Sequence, residues 1–227
     1  MIRREHIGTA QVPSGSGRGV ELRLMRHDRD FMIVLDRNEL MSTRRWGSEE
    51  ALATMAIDRL AGAKRPDLLI GGYGMGFTLR AALRTLPQDA RVTVAELVPE
   101  IIDWARGPMA ELTAGCLDDQ RVRLVQDDVA ALIAGAHGDY DAILLDVDNG
   151  PDGLVRAENE GIYSASGLRA ARKALTPDGV LAIWSAEPDP SFRRRLESGR
   201  FTVEEVRVAA RSNGKGPKHM IWFARPA

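Results

Sequence analysis

The sequence predicts an α/β fold: a Rossmann-like doubly wound sheet, mostly parallel with an antiparallel last strand, preceded by a small N-terminal β-lobe. Three observations carry this. From residue 48 onward, apolar runs of strand length alternate with segments of helical spacing, the pattern of a parallel sheet with helices on both faces. One of those runs, Asp67-Leu68-Leu69-Ile70, breaks into closely spaced glycines before the next helical segment. Ahead of it, residues 20–26 and 31–35 alternate apolar with polar around the turn Asp28-Arg29-Asp30, as a hairpin does.

Taken in order, residues 1–19 end in Pro13-Ser14-Gly15-Ser16-Gly17-Arg18-Gly19, too rich in glycine and serine to repay ordering by burial, and are expected to be a flexible arm. Residues 20–45 form the β-lobe, with Asp36-Arg37-Asn38 turning into a third strand. The remaining chain, 46–227, is expected to form the Rossmann-like domain. Its first helix runs from Ser48, a suitable N-cap, to about residue 63, with Glu49 and Glu50 where acids favour the helix dipole. After the glycine unit come strand 91–96, helix 98–114, strand 122–126, helix 129–134 and strand 142–146. Helix 161–175 stops at Thr176-Pro177-Asp178-Gly179, and strand 180–185, a short helix at 190–198 and strands 201–209 and 220–224 follow, the last two antiparallel.

Bulk properties narrow the function. With 31 Lys+Arg against 32 Asp+Glu, the net charge of −1 sets up no global field for nucleic acid or an anionic membrane. No apolar run approaches the roughly 20 residues a membrane span needs. The single cysteine, Cys116, makes no internal disulfide, and the N-terminal residues lack the apolar centre of a signal peptide, so a cytoplasmic protein acting on small molecules is expected. The four histidines have no ligand spacing, and no metal is expected.

Candidate chemistry sits at the carboxyl ends of the parallel strands, where open α/β sheets bind ligands. The first strand ends in Gly71-Gly72-Tyr73-Gly74-Met75-Gly76, the next in Glu96, the third in Asp127-Asp128 and the fourth in Asp146-Val147-Asp148-Asn149. Read from Gly72, the dinucleotide fingerprint Gly-x-Gly-x-x-Gly fails because Phe77 stands at its third glycine, which disfavours NAD and FAD. Gly72-x-Gly74-x-Gly76 instead resembles the loop of class I S-adenosylmethionine-dependent transferases. For a purine nucleoside, Glu96 would take the ribose hydroxyls, Asp127 the adenine amino group, and Asp146 would face the reactive end. Plainer readings stand beside these: the glycines only turn the chain, Asp127 or Asp128 caps the following helix, and Asp148 shapes the turn before Gly150-Pro151.

Assembled, these residues resemble the polyamine aminopropyltransferases, the spermidine synthase family, over nearly the whole chain. Leu69-Ile70-Gly71-Gly72 resembles that family's glycine loop, Val94-Ala95-Glu96-Leu97 its ribose strand, and Arg121 to Asp127 its adenine segment. Tyr140 to Asp146 resembles the strand ending in its catalytic aspartate, and Glu160-Gly161-Ile162-Tyr163 follows as in the family. The resemblance implies a transferase that binds S-adenosylmethionine or decarboxylated S-adenosylmethionine, with methylthioadenosine or S-adenosylhomocysteine as product and a small-molecule amine as acceptor. It implies Gly71, Gly72, Tyr73, Gly74, Met75, Gly76, Glu96, Leu97, Asp127 and Asp128 at the cofactor and Asp146 as catalytic base. A homodimer is expected.

The departures fall where the family grips amines. Its loop aspartate, which holds the aminopropyl ammonium, is Gly74 here. A second aspartate is Asn149, with Asp148 one position away; a cofactor-touching glutamine is Leu40; and the stretch at the first helix reads Ser48-Glu49-Glu50. Glu49, Glu50, Asp148, Asn149 and Tyr163 are the candidate acceptor-binding residues. Two alternatives follow from these changes: a methyltransferase of the same fold, favoured by Gly74, and a nucleoside-binding or oligomeric interaction protein without turnover.

Overall fold

A computed structural model describes residues 4–13, 19–60, 62–147 and 160–227. Four strands, β1 (Glu5–Val12), β2 (Val20–His27), β3 (Asp30–Leu35) and β4 (Asn38–Ser42), make an antiparallel sheet in the order β1-β2-β3-β4. Here the expectation of a flexible arm is corrected, because residues 5–12 are an edge strand. Pairing with β2 from Glu5↔Arg26 to Val12↔Val20 supplies the backbone partners, and Ala10 and Val12 are buried. Gly8 lets β1 lie against Trp104: a Cβ there would come within 2.6 Å of the indole Nε1.

Helix α1 (Gly47–Asp58) leads into a seven-stranded sheet. It ends before the expected residue 63, and Ser48 is not its cap: Trp46 holds that position without a side-chain bond, and Ser48 lies buried inside the first turn. Then follow β5 (Asp67–Gly71), α2 (Phe77–Thr85), β6 (Arg91–Ala95), α3 (Pro99–Arg106), α4 (Ala110–Thr113), β7 (Val122–Val125), α5 (Val129–Gly135) and β8 (Tyr140–Leu145). The single helix expected over 98–114 is thus two, broken around Gly107 and Pro108. After α6 (Glu160–Tyr163) and α7 (Ala165–Ala174), β9 (Leu175–Ser185) runs through the Thr176-Pro177-Asp178-Gly179 stop as a bulge, its pairing with β8 jumping from Tyr140↔Leu175 to Ala142↔Val180. Helix α8 (Pro190–Ser198), β10 (Phe201–Ala209) and β11 (Lys218–Pro226) complete the chain.

The order β10-β11-β9-β8-β5-β6-β7 is parallel from β9 to β7, with β11 and β10 added antiparallel at the edge. Both faces are covered, and the central strands show it residue by residue. In β5, Leu68 and Ile70 face one core with α1, α2 and the β-lobe, while Leu69 faces the other with α5, α7 and α8; in β8, Ala142 and Leu144 oppose Ile143 and Leu145 in the same way. The chain leaves β5 toward β6 on one side and reaches β8 on the other. The crevice of an open α/β sheet opens at such a reversal. Among the described residues no helix is long and apolar enough to cross a membrane.

Candidate functional site

The ends of β5, β6, β7 and β8 converge on one cleft whose far wall is the β-lobe. Open solvent at its mouth included, it spans about 840 Å³ free of protein atoms, and it is lined by Gly72, Gly74, Glu96, Leu97, Asp127, Asp128 and Asp146 on the sheet side. Val12, Leu22, Ile33, Leu40 and Met41 line the lobe side. The sheet side thus sets its acids among apolar residues such as Val98, Ile101 and Val129, and the lobe side is apolar throughout, which suits a ligand with both cationic or hydroxyl-bearing parts and an apolar face.

The loop after β5 owes its path to its glycines. Gly72 has φ +85°, and a Cβ there would lie 2.5 Å from the carbonyl oxygen of Asp146, so β5 and β8 can end side by side only because the position is bare. Gly74 has φ +56°, and a Cβ there would meet the Met41 thioether at 2.7 Å (Cε) and 2.9 Å (Sδ). The space of a side chain at Gly74 is thus taken by methionine from β4. Tyr73, Met75 and Gly76 do not line the cleft; the Tyr73 ring is buried with its hydroxyl 3.4 Å from Cys116 Sγ, and Met75 is core. Gly71 packs against Val129.

Glu96 is buried at the end of β6 and holds the glycine loop with both oxygens. Its Oε2 accepts from the Tyr73 N–H and its Oε1 from the Val98 N–H, each at 2.9 Å. Burial pushes its carboxyl above the usual range, opposed by these backbone donors. Asp128 is the N-cap of α5, its Oδ1 accepting from the Ala130 N–H at 2.9 Å. Asp127, one residue earlier, accepts from the Asp128 N–H at 2.7 Å and is the member of the pair not committed to the helix start.

Asp146 stands where β8 ends, its N–H donating to the Gly71 carbonyl at 3.0 Å and its surface only partly open, toward the cleft. Thr78, in the first turn of α2, donates to its Oδ2 at 2.6 Å. Behind it lies Glu49, only 6% exposed and outside the cleft lining. Both carboxyls are raised, chiefly by burial, and the charge of Asp146 raises Glu49 further; two such acids side by side do not both ionise easily. Ser48 donates to Glu49 Oε2 at 2.6 Å and meets His219 Nδ1 at 2.8 Å.

The remaining candidate acceptor residues are not gathered here. Glu50 points away from the cleft to an ion pair with Arg84, and Tyr163 is 1% exposed in the opposite core, its ring edge-on to Phe192. Asp148 and Asn149 lie outside the described residues. Thr78, Ser48, Met41 and His219 were not among the expected site residues. A hydroxyl in the turn after the glycine loop is a usable signal for Thr78; His219, 171 residues from Ser48, carries none.

Comparison with known proteins bears on the family and the fold. The profile of the spermine/spermidine synthase domain matches residues 48–192. A polyamine aminopropyltransferase of Mycobacterium tuberculosis is 30% identical over 172 residues, covering 74% of this chain. The chain spans only 31% of that relative's length. The fold is that of a spermidine synthase from Thermotoga maritima, with a TM-score of 0.76 at 19% identity over 98% of this chain and 73% of that one. It also resembles human methyltransferase-like protein 13, solved with S-adenosylhomocysteine, at a TM-score of 0.59 and 20% identity over 80% of each chain.

Proposed function

The chain belongs to the spermine/spermidine synthase family, and we propose that it is a transferase that binds S-adenosylmethionine or its decarboxylated form and moves an alkyl group, aminopropyl in the family's own reaction, to an amine. The observation carrying this reading is the convergence of Gly72, Glu96, Asp127 and Asp146 on one cleft, with the Asp146 carboxyl at its inner end. The residues fit such a ligand: Gly72 leaves room where any side chain would strike the Asp146 backbone, and the polar groups lining the cleft are acids, suited to hydroxyls, an amino group and a cation.

When bound, the sulfonium nucleoside supplies an electron-poor carbon and a neutral thioether leaving group. The chain supplies position and a proton acceptor. Glu96, fixed by its two backbone donors, would present its remaining lone pairs to the ribose hydroxyls, and Asp127 would accept from the adenine amino group. Asp146 has Oδ2 occupied by Thr78, which leaves Oδ1 to receive the proton of the acceptor amine. Burial raises this carboxyl toward neutrality, which makes it a better base than an exposed aspartate. Holding the reactants in line contributes roughly 7–11 kcal/mol. The apolar lobe wall would cover the ligand and exclude water.

A second reading, methyl transfer, is favoured by the glycine at position 74: among the described residues a side chain there would meet only the Met41 thioether, so no acid stands at that point to pair with an aminopropyl ammonium or to repel an intact methionine carboxylate. A cytoplasmic homodimer is part of the proposal. Incubating the protein with putrescine or spermidine and each form of the cofactor, followed by chromatography, distinguishes the outcomes: methylthioadenosine means aminopropyl transfer and S-adenosylhomocysteine methyl transfer. Neither product with any pair contradicts the enzymatic reading.

A further inference from the structure

An aspartate that works as a base must hold one oxygen ready for its substrate, and its own side chain does not ensure this, because the torsion that turns the carboxylate plane is broad and roughly two-fold. The backbone of Asp146 is fixed by the glycine loop: its N–H donates to the Gly71 carbonyl at 3.0 Å, and its carbonyl oxygen lies 2.5 Å from where a Cβ on Gly72 would stand. The carboxylate is held by Thr78, whose Oγ1 donates to Oδ2 at 2.6 Å. Both ties come from residues 71–78, the glycine loop and the helical turn that follows it.

Thr78 departs from the habit of a helical threonine. Such hydroxyls bond back to a carbonyl three or four residues earlier, as Thr54 does to Glu50 at 3.0 Å, Thr85 to Ala81 at 3.1 Å and Thr113 to Ala110 at 3.2 Å. Thr78 stands in the first turn of α2, just after the left-handed Gly76 at its N-cap, and its hydroxyl turns to Asp146 instead. A hydroxyl has one proton to give. Its second acceptor is the Glu49 carbonyl oxygen at 3.4 Å, a much poorer partner, so the proton is committed to Oδ2. Thr78 is 3% exposed and does not line the cleft, so it acts on the ligand only through Asp146.

We propose that Thr78 is a positioning residue for Asp146, its hydroxyl fixing the carboxylate plane so that Oδ2 stays occupied and Oδ1 is the oxygen that receives the acceptor's proton; this rests on the reading of Asp146 as the base. The step balances without a further reactant. The N–C bond forms as the C–S bond breaks with its electron pair left on sulfur, the amine's surplus proton moves to Oδ1, and the Thr78 proton stays on Oγ1 throughout. A donor on Oδ2 also favours the ionised carboxylate, opposing the burial that raises it. Among the described residues, the other titratable and charged groups around Asp146 are Glu49 from α1, with Arg45 and, by way of Ser48, His219 beyond it, and Glu96, Asp127 and Asp128 on the sheet side of the cleft. All of them stay in place in the variants below.

Thr78→Val keeps the shape and removes the donor, and Thr78→Ser keeps the donor and removes a methyl group. In ligand-free protein, carbon-detected NMR of the side-chain carboxyl should show Asp146 titrating about one pH unit or more higher in Thr78→Val than in wild type, and close to wild type in Thr78→Ser. In the turnover assay, Thr78→Val is expected to lower kcat about 10-fold or more, to move the acid limb of the pH profile upward and to leave KM within about two-fold, while Thr78→Ser recovers most of the rate. A threonine that only fills the core would lower the melting point and move neither the titration nor the profile. Where a thermal melt shows Thr78→Val unfolded, Thr78→Ala takes its place in both arms. An Asp146 titration identical in wild type and folded Thr78→Val overturns the proposal, as does a wild-type kcat and pH profile in that variant while Asp146→Asn is slow. If the wild-type protein turns over no pair, or Asp146→Asn is as fast as wild type, it is the assignment of Asp146 as base that fails, and the positioning role falls with it.

Discussion

Replacing Gly74 with aspartate puts a carboxylate at the place where the resemblance to aminopropyltransferases implies an ammonium anchor, and the structure fixes what this costs. The new Cβ would stand 2.7 Å from Met41 Cε and 2.9 Å from Met41 Sδ, the free end of a flexible side chain that can swing aside. The backbone at φ +56° is left-handed, which costs about 1 kcal/mol in a non-glycine residue, aspartate being among those that bear it best. A melting point lower by roughly 2–4 °C is expected for a chain of this size. A charge-assisted bond to an ammonium group contributes about 1.5–3 kcal/mol, or roughly 10- to 150-fold in Kd. Calorimetric titration of wild type, G74D and the pair G74D/M41A with decarboxylated and intact S-adenosylmethionine reads this directly. The ratio of affinities should tilt toward the decarboxylated form in G74D and further in the double variant, where the methionine no longer competes for the space. An unchanged ratio in a folded double variant would refute the idea that Gly74 and Met41 set the selectivity of the cleft.

Other perturbations follow from the same geometry. Gly72→Ala combines a left-handed backbone at φ +85° with a contact of 2.5 Å to the Asp146 carbonyl, so it should lose more than the ~1–2 kcal/mol of the backbone term alone, seen as a melting point at least roughly 4 °C lower. Asp146→Asn should leave nucleoside affinity within a few-fold and cut turnover by about 100-fold or more. Because Glu49 and Asp146 are raised by folding, the native state holds protons that the unfolded chain gives up; their contribution is complete below the ordinary carboxylate range and is lost as pH rises toward about 8 for Glu49. Denaturant melts should therefore show stability falling from about pH 3.8 to 6 through Asp146 and from about pH 4.5 to 8 through Glu49, with a slope of up to about 1.4 kcal/mol per pH unit for each group in its own window, and Glu49→Gln should flatten the upper part. Tyr163→Phe should leave KM for the acceptor unchanged, since the ring serves the core with Phe192.

The order of strands and helices and the glycine loop are legible because they rest on local signals. Leu68, Leu69 and Ile70 are apolar on both faces because both faces are covered, and Gly72 and Gly74 do adopt positive φ. The acids of the cleft were legible for a related reason: Glu96, Asp127 and Asp146 each stand where an apolar run stops. What stayed hidden depends on distant partners. Strand β1 looked like an arm because residues 13–19 are glycine- and serine-rich, while its order comes from β2 and Trp104. Ser48 looked like a cap because serine before two glutamates usually is one; its partner is His219, supplied by the last strand. Glu49 read as a dipole-favouring acid of a first helical turn and as a candidate acceptor ligand, and only the packing of α1 against β8 and α2 shows it buried behind Asp146.

The most direct test of the account is calorimetric titration of the wild-type protein with methylthioadenosine, which carries the ribose, adenine and sulfur of the inferred ligand and none of the disputed amine arm. Binding in the micromolar range, weakened by Asp127→Ala and scarcely changed by Asp146→Asn, is the predicted result. No binding at millimolar concentration by folded protein would mean that the glycine loop and its acids are not a nucleoside site.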